Sequence, residues 1–287
     1  MAQTEQALVG AARAGDPRAI DALLKRHQGE VYRFALKMCR DEEDAKDILQ
    51  DTLLASVRAL RGFRGRSSVS TWLYSIARSF CIKKRRRSKF APPEDKVLPL
   101  ESVVDSCPLP DAQRGPEETV AGNQVQAAID DAIAVLPPMY REVLVLRDIE
   151  GLPAAEVAKV VGVGERAVKS RLHRARMAVR ARLAPALGIG QDSAAAPGRC
   201  PDILRLYSEH LEGDVSPELC AKMERHLAGC ARCRTSCDTL KRTLALCRSL
   251  PKPAVPAAVR DAVRRELRAS GEISSKTERA ARSPRGC

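Results

Sequence analysis

The sequence predicts an all-α protein built from several small helical units. Only 3% of its 287 residues are aromatic, and no stretch shows the alternation of β-branched residues that is typical of strands. Ala, Leu, Arg and Val are abundant, and the apolar residues recur at the three- and four-residue spacing of amphipathic helices. A chain of this length accommodates two or three compact domains.

Residues 1–87 predict a first helical domain. Asp16 and Pro17 have the sequence of a helix N-cap followed by a first helical residue, and two short helices are expected after them. A third helix covers DEEDAKDILQDTLLASVRAL, with acidic residues in its first turns, where they stabilise the helix dipole. The glycine-rich turn RGFRGRSS follows, and then a helix, STWLYSIARSFCIKKRRR, that ends in a run of cations.

The rest of the chain divides into four further segments. Residues 88–122 are rich in proline and net acidic, which predicts an extended linker. Residues 123–187 predict a second helical domain, and residues 200–250 a small cysteine-rich domain beyond the small-residue linker GIGQDSAAAPGR. Residues 251–287 form a basic tail, with one helix expected near 257–269 and disorder after it.

The strongest local signal in the second domain is a helix-turn-helix. A short apolar helix after Pro153 gives way to Gly162-Val163-Gly164 and then to a basic helix, whose buried positions are expected at Val168 and Leu172. The second helix of this motif enters the major groove of DNA. Its remaining face presents candidate contacts to phosphates and base edges: Arg166, Lys169, Ser170, Arg171, His173, Arg174 and Arg176.

Charge and motif content narrow the function further. The formal net charge of +13 is clustered, which favours a polyanionic partner. No apolar run approaches the ~20 residues that span a bilayer, and the first residues do not resemble a signal peptide. We therefore expect a cytoplasmic protein without a membrane partner. No phosphate loop, nucleophile elbow or paired-carboxylate pattern occurs, so we expect no enzyme activity and no catalytic residue.

Six of the ten cysteines lie within residues 200–247. Because cytoplasmic thiols stay reduced, such a concentration indicates metal binding or redox sensing. His226, Cys230 and Cys233 have the spacing of metal ligands and would share one face of a continuous helix. Cys200, at the start of a separate predicted helix, is the best candidate for the fourth ligand of a tetrahedral Zn²⁺ site.

The surplus thiols leave the sensed metal open. Cys237 is four residues beyond Cys233 and is a further candidate ligand, whereas Cys220 and Cys247 are either additional ligands or small core residues. Thiolates suit Cu(I), Zn²⁺ and Cd²⁺, so copper or cadmium is an alternative to zinc. The other cysteines have no partner pattern: Cys39, Cys81, Cys107 and Cys287.

Two motif blocks carry a family resemblance. EDAKDILQDTLL with RGFRGRSSVSTWLYSIARSFCIKKRRR resembles the region-2 domain of extracytoplasmic-function (ECF) RNA polymerase sigma factors. AIAVLPPMYREVLVLRDIEGLPAAEVAKVVGVGERAVKSRLHRAR resembles their region-4 domain. The two blocks cover nearly all of residues 15–185 in the family's order. The resemblance implies a sigma factor that binds polymerase core and directs promoter-specific initiation.

The resemblance also assigns expected roles. The surface that docks on the polymerase clamp helices would comprise Asp44, Asp47, Ile48, Gln50, Asp51 and Leu54. Residues 63–87 would capture the −10 element, with phosphate contacts from Lys83, Lys84, Arg85, Arg86 and Arg87, while Trp72 is expected in the core. Lys169, Ser170, His173 and Arg174 would read the −35 element. The turn GVGERAVKS departs from the family's commoner Val-Gly-Thr form, so the −35 sequence does not carry over.

His-x3-Cys-x2-Cys at residues 226–233 and the preceding helix ending in Glu-Gly-Asp-Val-Ser-Pro-Glu resemble a zinc-binding anti-sigma domain, which is normally a separate protein. Its fusion to a sigma factor resembles the metal-responsive ECF factors of the CorE type. We therefore expect a tail that contacts the sigma domains intramolecularly and regulates them through metal. Three alternatives stay open at this point: a thiol redox switch, a purely structural zinc site, and a stand-alone helix-turn-helix regulator that does not use polymerase.

Overall fold

Twelve α-helices make up the part of the protein that the computed structural model describes, residues 4–87, 118–187 and 200–269, and no strand occurs among them. The all-α prediction is confirmed. The chain divides into two compact units. The first unit combines Met1–Ala91 with Lys252–Cys287, and the second comprises Pro92–Pro251. Most of the predicted acidic linker, residues 88–117, lies outside the described residues.

Five of the described helices belong to the first unit. These are α1 (Glu5–Arg13), α2 (Pro17–Cys39), α3 (Glu42–Ala59), α4 (Val69–Arg87) and, from the far end of the chain, α12 (Ala257–Ala269). Asp16 caps α2 by accepting a hydrogen bond from the Arg18 N–H at 2.9 Å, and Pro17 is the first helical residue, as the sequence predicts. The sequence suggested two helices after Pro17, but one continuous helix of 23 residues forms. Gly29 lies inside it, and a glycine at such a position lowers helix stability but does not end the helix.

The core of the first unit lies between α2, α3 and α4. Phe34 and Tyr74 are fully buried there, with their ring centroids 5.4 Å apart. The apolar face predicted for α3 is also buried, including Leu49 and Leu53. Trp72 is partly buried and packs on Phe63 at 4.8 Å between ring centroids. Helix α3 packs against both α2 and α4.

The other seven described helices belong to the second unit, together with a π-helical turn at Val145–Ile149. Its helices are α5 (Glu118–Ala134), α6 (Pro138–Leu144), α7 (Ala154–Val161), α8 (Glu165–Leu183), α9 (Ile203–His210), α10 (Pro217–Gly229) and α11 (Ala231–Arg248). The turn between α7 and α8 needs Gly162, whose φ of 75° is left-handed. Val168 and Leu172 are fully buried, as predicted for a helix-turn-helix.

The cysteine-rich helices share the second unit with the helix-turn-helix, although the sequence suggested separate domains. Helices α9 and α11 both pack against α8. Arg180 of α8 donates a hydrogen bond to the Ser236 carbonyl of α11 at 3.2 Å. The two predicted domains therefore meet along the helix expected to read DNA.

Candidate nucleic-acid interface and metal-ligand cluster

Helix α8 presents an exposed polar face, as expected of a recognition helix. Arg166, Ser170 and Arg174 are exposed on it. The Arg174 guanidinium also donates a hydrogen bond to the Tyr140 hydroxyl at 3.3 Å. Arg171 is partly buried, and its guanidinium lies 3.9 Å from the Glu142 carboxylate. These side chains have the chemistry needed to contact phosphates and base edges.

Arg176 differs from the prediction, because its side chain is only 1% exposed. Its guanidinium binds both carboxylate oxygens of Asp148, at 2.9 and 2.7 Å, and donates to Glu212 at 2.7 Å. It also donates to the Ser208 hydroxyl at 3.0 Å. These bonded carboxylates raise the pKa of Arg176 against the opposing effect of its burial. Arg176 thus fastens α9 and the loop after it onto α8, and in this arrangement it does not face DNA.

Lys169 and His173 lie where the cysteine-rich domain meets α8. The Lys169 ammonium group is 2.6 Å from an Asp214 carboxylate oxygen and 3.0 Å from Glu165. Hydrogen bonds to these two carboxylates raise the pKa of Lys169. His173 is half-buried, its Nδ1 has no hydrogen-bond partner, and burial lowers the pKa of its imidazole. Two of the four side chains expected to read the −35 element therefore contact or face the tail.

The loop that follows α9 supplies the anionic groups that contact the helix-turn-helix domain. Its Glu212 accepts from Arg147 at 2.9 Å as well as from Arg176, and its Leu211 carbonyl accepts from Arg147 at 3.2 Å. Sequence reasoning used the residues Glu-Gly-Asp of this loop for a family resemblance and overlooked their charge. Two acids just beyond an amphipathic helix, in a chain of net charge +13, were the available signal.

Four potential metal ligands converge at one corner of the cysteine-rich domain, as predicted. The ligand atoms of Cys200, His226, Cys230 and Cys233 all lie within 4.8 Å of one another. The three clustered residues do not share one helix, because α10 ends at Gly229 and Cys230 adopts an extended conformation before α11 begins. The bend at Cys230 brings the end of α10 and the first turn of α11 toward Cys200.

The side chains of this cluster fit a thiophilic metal. His226 Nε2 is buried without a hydrogen-bond partner, which is costly unless the nitrogen binds something. A hydrogen bond from the Cys233 backbone N–H lowers the pKa of the Cys230 thiol, whereas burial raises the pKa of Cys233 to about 12. Three sulfurs and one imidazole nitrogen form the donor set of tetrahedral zinc sites.

The surplus cysteines lie elsewhere. Cys237 was a candidate ligand, but it is absent from the cluster. It lies one turn beyond Cys233 on α11, where it is 1% exposed in the core. Cys247 is fully buried as well. Cys220 Sγ lies 3.3 Å from His210 Nδ1 on the surface, and Cys107 and Cys287 lie outside the described residues.

Two acidic residues of the polymerase-docking surface predicted on α3 form ion pairs within the protein. Lys84 of α4 binds both Asp44 and Asp47, each at 2.8 Å. Asp51 is exposed beside them, and burial together with the charge of Asp47 raises the pKa of its carboxyl. Ile48 is 1% exposed in the core, so it supports this surface from beneath and is not itself available for docking.

The cationic run at the end of α4 was predicted to contact phosphates. Lys83 and Arg86 are exposed and Arg85 is partly buried, whereas the side chain of Arg87 lies outside the described residues. Lys84 is held by the acids of α3, as described above. Within the described residues, none of the helices has the length and hydropathy to cross a membrane.

Comparison with known proteins identifies the two units. Residues 23–90 match the family described as "Sigma-70 region 2", residues 126–179 match "Sigma-70, region 4", and residues 200–234 match "Putative zinc-finger". The ECF RNA polymerase sigma factor SigM of Mycobacterium tuberculosis (strain ATCC 25618 / H37Rv) is 36% identical over 186 residues, which are 65% of this chain and 86% of SigM.

A second curated relative agrees. The RNA polymerase sigma-H factor of Pseudomonas aeruginosa (strain PAO1) is 31% identical over 64% of this chain and 96% of its own length. Among solved structures, CnrH in complex with the cytosolic domain of CnrY matches with a TM-score of 0.45 and 26% identity, over 62% of this chain and 96% of that chain. Regions 2 and 4 occur in the family's order, followed by a zinc-finger segment, and the chain belongs to the ECF RNA polymerase sigma factors.

Proposed function

We propose that this sigma factor, which directs RNA polymerase to promoters, is regulated in cis by metal binding to its cysteine-rich domain. In the covered arrangement, defined by the contacts of α9 and its following loop with α8, that domain competes with promoter DNA for the recognition helix. Loss of metal from the cluster of Cys200, His226, Cys230 and Cys233 weakens the covered arrangement. The observation that carries the proposal is the 2.6 Å contact between Lys169 and Asp214.

The competition follows from charge and position. Lys169 matches a position expected to read the −35 element, and the same ammonium group cannot serve Asp214 and a base edge together. His173, another expected −35 contact, is half-buried, with Asp202 and Glu209 of α9 nearby. Glu212 and Asp214 present carboxylates to cations that would otherwise face phosphates. The tail thus offers region 4 an anionic surface in place of DNA.

Metal ligation is connected to this contact through α9. Cys200 lies just before α9, and the loop with Glu212 and Asp214 lies just after it. A ligand bond at Cys200 restrains the start of α9, while Arg176 restrains its end through the Ser208 hydroxyl. Anything that binds the covered arrangement more tightly than the released one stabilises it. We therefore expect the metal-loaded protein to be the less active form.

The donor set favours Zn²⁺ as the resident metal. Zinc would hold the three cysteines as thiolates and occupy the lone pair of the buried His226 nitrogen. Cu(I) and Cd²⁺ share this preference for sulfur, so either could displace zinc and act as the signal. A second candidate signal is oxidation, since three thiols close enough to share a metal can also form a disulfide, which removes two ligands.

In vitro transcription with purified core polymerase tests the proposal. The full chain and its Cys230→Ser variant would be titrated separately with zinc, cadmium, copper, oxidant and chelator, with promoter binding and bound zinc measured in parallel. Chelation should raise promoter binding by the full chain, and Cys230→Ser should be equally active with and without chelator. Cys39→Ser, which removes a cysteine of the first unit, is the matched control and should behave as the parent chain.

Two outcomes would contradict the proposal. If Cys230→Ser loses zinc and thermal stability but keeps the parent's transcription at every metal concentration, the zinc is purely structural. If a chain ending near Leu187 keeps the parent's metal response, the cysteine-rich domain is not the sensor. A response to oxidant at constant zinc content would assign the signal to thiol oxidation instead of metal exchange.

A further inference from the structure

A hydrogen bond between two helices of region 4 involves a side chain expected to read DNA. The Arg174 guanidinium of α8 donates to the Tyr140 hydroxyl of α6 at 3.3 Å, and α6 packs against α8. We infer that Tyr140 is a positioning residue for base recognition, whose hydroxyl holds Arg174 in the orientation that reads one base pair of the −35 element. This inference rests on promoter recognition by α8 and does not require the proposed metal switch.

The polar residues of α8 divide between two flanks of the helix. Lys169, His173 and Arg176 follow one another at spacings of four and three residues, and their flank meets the cysteine-rich domain. Arg171 and Arg174 are three residues apart, and both have partners in α6. Arg174 is exposed in the same arrangement in which the tail holds Lys169. The flank that Tyr140 supports is therefore not the flank that the tail covers.

The partner of Arg174 differs in kind from the partner of Arg176. Arg176 binds both carboxylate oxygens of Asp148 in a buried pair, which neutralises its charge and directs its donors inward. The Tyr140 hydroxyl carries no charge, so the positive charge of Arg174 is not neutralised by this bond. A guanidinium has five N–H donors, and a bond from one of them to a hydroxyl is compatible with the bidentate pair that arginine forms with O6 and N7 of guanine. Tyr140 can thus stay bonded while Arg174 reads a base.

The backbone around Tyr140 gives its hydroxyl a defined place. Tyr140 lies in the first turn of α6, which begins at Pro138, and its N–H donates to the Pro137 carbonyl at 2.9 Å. The side chain is half-buried and has few rotatable bonds. An arginine side chain that binds in one geometry loses about 2 kcal/mol of rotamer freedom. Because Tyr140 orders Arg174 before DNA arrives, less freedom is lost on binding, and fewer alternative orientations are available for a wrong base.

Removing the hydroxyl and keeping the ring tests this inference. The full chain would be bound to core polymerase, and dissociation constants measured on promoter fragments that carry each base pair at each −35 position. Tyr140→Phe should lower discrimination at one base pair roughly two- to tenfold, as loss of one hydrogen bond implies, and leave the other positions unchanged. Met139→Leu alters a neighbouring, 43% exposed position of α6 and should change no position. Arg174→Ala should abolish discrimination at the same base pair, and adding Tyr140→Phe to it should have no further effect.

The contrary outcomes are equally specific. A uniform loss of affinity for all sequences with a smaller salt slope would overturn the inference and make Tyr140 a phosphate contact. Unchanged discrimination in Tyr140→Phe alongside its loss in Arg174→Ala would also overturn it, because Arg174 would then read its base without the hydroxyl. Loss of discrimination at every position would show a general displacement of α8 instead of the positioning of one side chain.

The same measurement separates this inference from the proposed metal switch. Tyr140→Phe should lower discrimination at the same base pair by the same factor in a Cys230→Ser chain, because the tail contacts the opposite flank of α8. If chelation and Cys230→Ser leave promoter binding unchanged while Tyr140→Phe still lowers discrimination, the metal switch fails and the role of Tyr140 stands. An effect of Tyr140→Phe that disappears in the Cys230→Ser chain would overturn the inference, since it would make the hydroxyl part of the contact with the tail.

Discussion

Arg176 and Asp148 bind each other through two charged hydrogen bonds inside the second unit, where each side chain is 1% exposed. Both residues belong to region 4, but the same guanidinium also reaches Glu212 and Ser208 of the cysteine-rich domain. Arg176, which the sequence places on the predicted recognition helix, thus joins region 4 to the cysteine-rich domain by direct hydrogen bonds.

We expect Arg176→Ala to destabilise the second unit by about 3–5 kcal/mol, because it leaves the Asp148 and Glu212 carboxylates buried without their main partner. The free energy of unfolding from chemical denaturation, followed by circular dichroism, measures this. Arg166→Ala removes a guanidinium from an exposed position of the same helix and should change stability by less than about 0.5 kcal/mol. Equal losses in the two variants would contradict the fastening role.

Asp214→Asn should raise the affinity of the full chain for a promoter −35 duplex by about threefold, since it weakens an exposed ion pair that competes for Lys169. In a chain already released by Cys230→Ser, the same substitution should have little effect.

Lys169→Ala should weaken promoter binding by ~1–3 kcal/mol and relax the sequence preference at one −35 position if the residue reads a base edge. A uniform loss on all sequences with a smaller salt slope would identify a phosphate contact instead.

Cys237→Ser is expected to lower stability by about 1–3 kcal/mol and to leave bound zinc unchanged. The side chain is buried away from the ligand cluster, where a serine hydroxyl would replace a weakly polar thiol. Cys237→Ala should restore part of the loss, because it removes the polar group and leaves only a small cavity. Zinc content of purified variants, together with thermal unfolding, checks this. A lower zinc content in either variant would return Cys237 to the ligand set.

The free energy of unfolding should fall in mild acid because of His173. Burial lowers the pKa of this imidazole in the folded protein, so the unfolded state binds more protons. Stability should therefore be retained above the ordinary histidine pKa of about 6.5 and fall as the pH drops through it toward the lower folded value. The charged groups that face His173 are Asp202, which caps α9, Arg205 and Glu209 of α9, and Arg176 beside it on α8.

His173→Gln removes this titration and should flatten the pH profile of the unfolding free energy between about pH 7.5 and 5.5. The remaining histidines and the carboxylates are common to both chains, so the difference between the two profiles isolates His173. Superimposable profiles would show that His173 titrates alike in the folded and unfolded protein.

Local patterns sufficed to predict most of the fold. The cap at Asp16, the glycine turn at Gly162 and the apolar spacing of Val168 and Leu172 are each determined by residues within one or two turns. The sigma-factor prediction is confirmed, and the stand-alone regulator is therefore wrong. The clustering of four candidate metal ligands was likewise predictable: His226, Cys230 and Cys233 from their spacing, and Cys200 from its place at the start of a separate helix.

Features that depend on distant partners were not predictable. Cys237 seemed a ligand because it lies four residues beyond Cys233, but the chain bends at Cys230 and α11 then faces the core. Arg176 shares its helix with DNA-facing cations, and only its position opposite Asp148 decides its burial. The packing of α12 on the first unit includes the ion pair between Arg264 and Asp21, which are 243 residues apart in the sequence. The periodicity of a single helix does not predict such a long-range pair.

Helix α12 is the last described helix to leave the ribosome, whereas α3 is among the first. At ordinary translation rates of ~5–20 residues per second, a nascent region 2 remains without its C-terminal partner for on the order of ten seconds or more. During that interval Asp21 of α2 and Arg58 of α3 lack the ion pairs that Arg264 and Glu266 of α12 later supply. Proteolytic cleavage before Ala257 would separate α12 from a finished chain and remove the same two ion pairs.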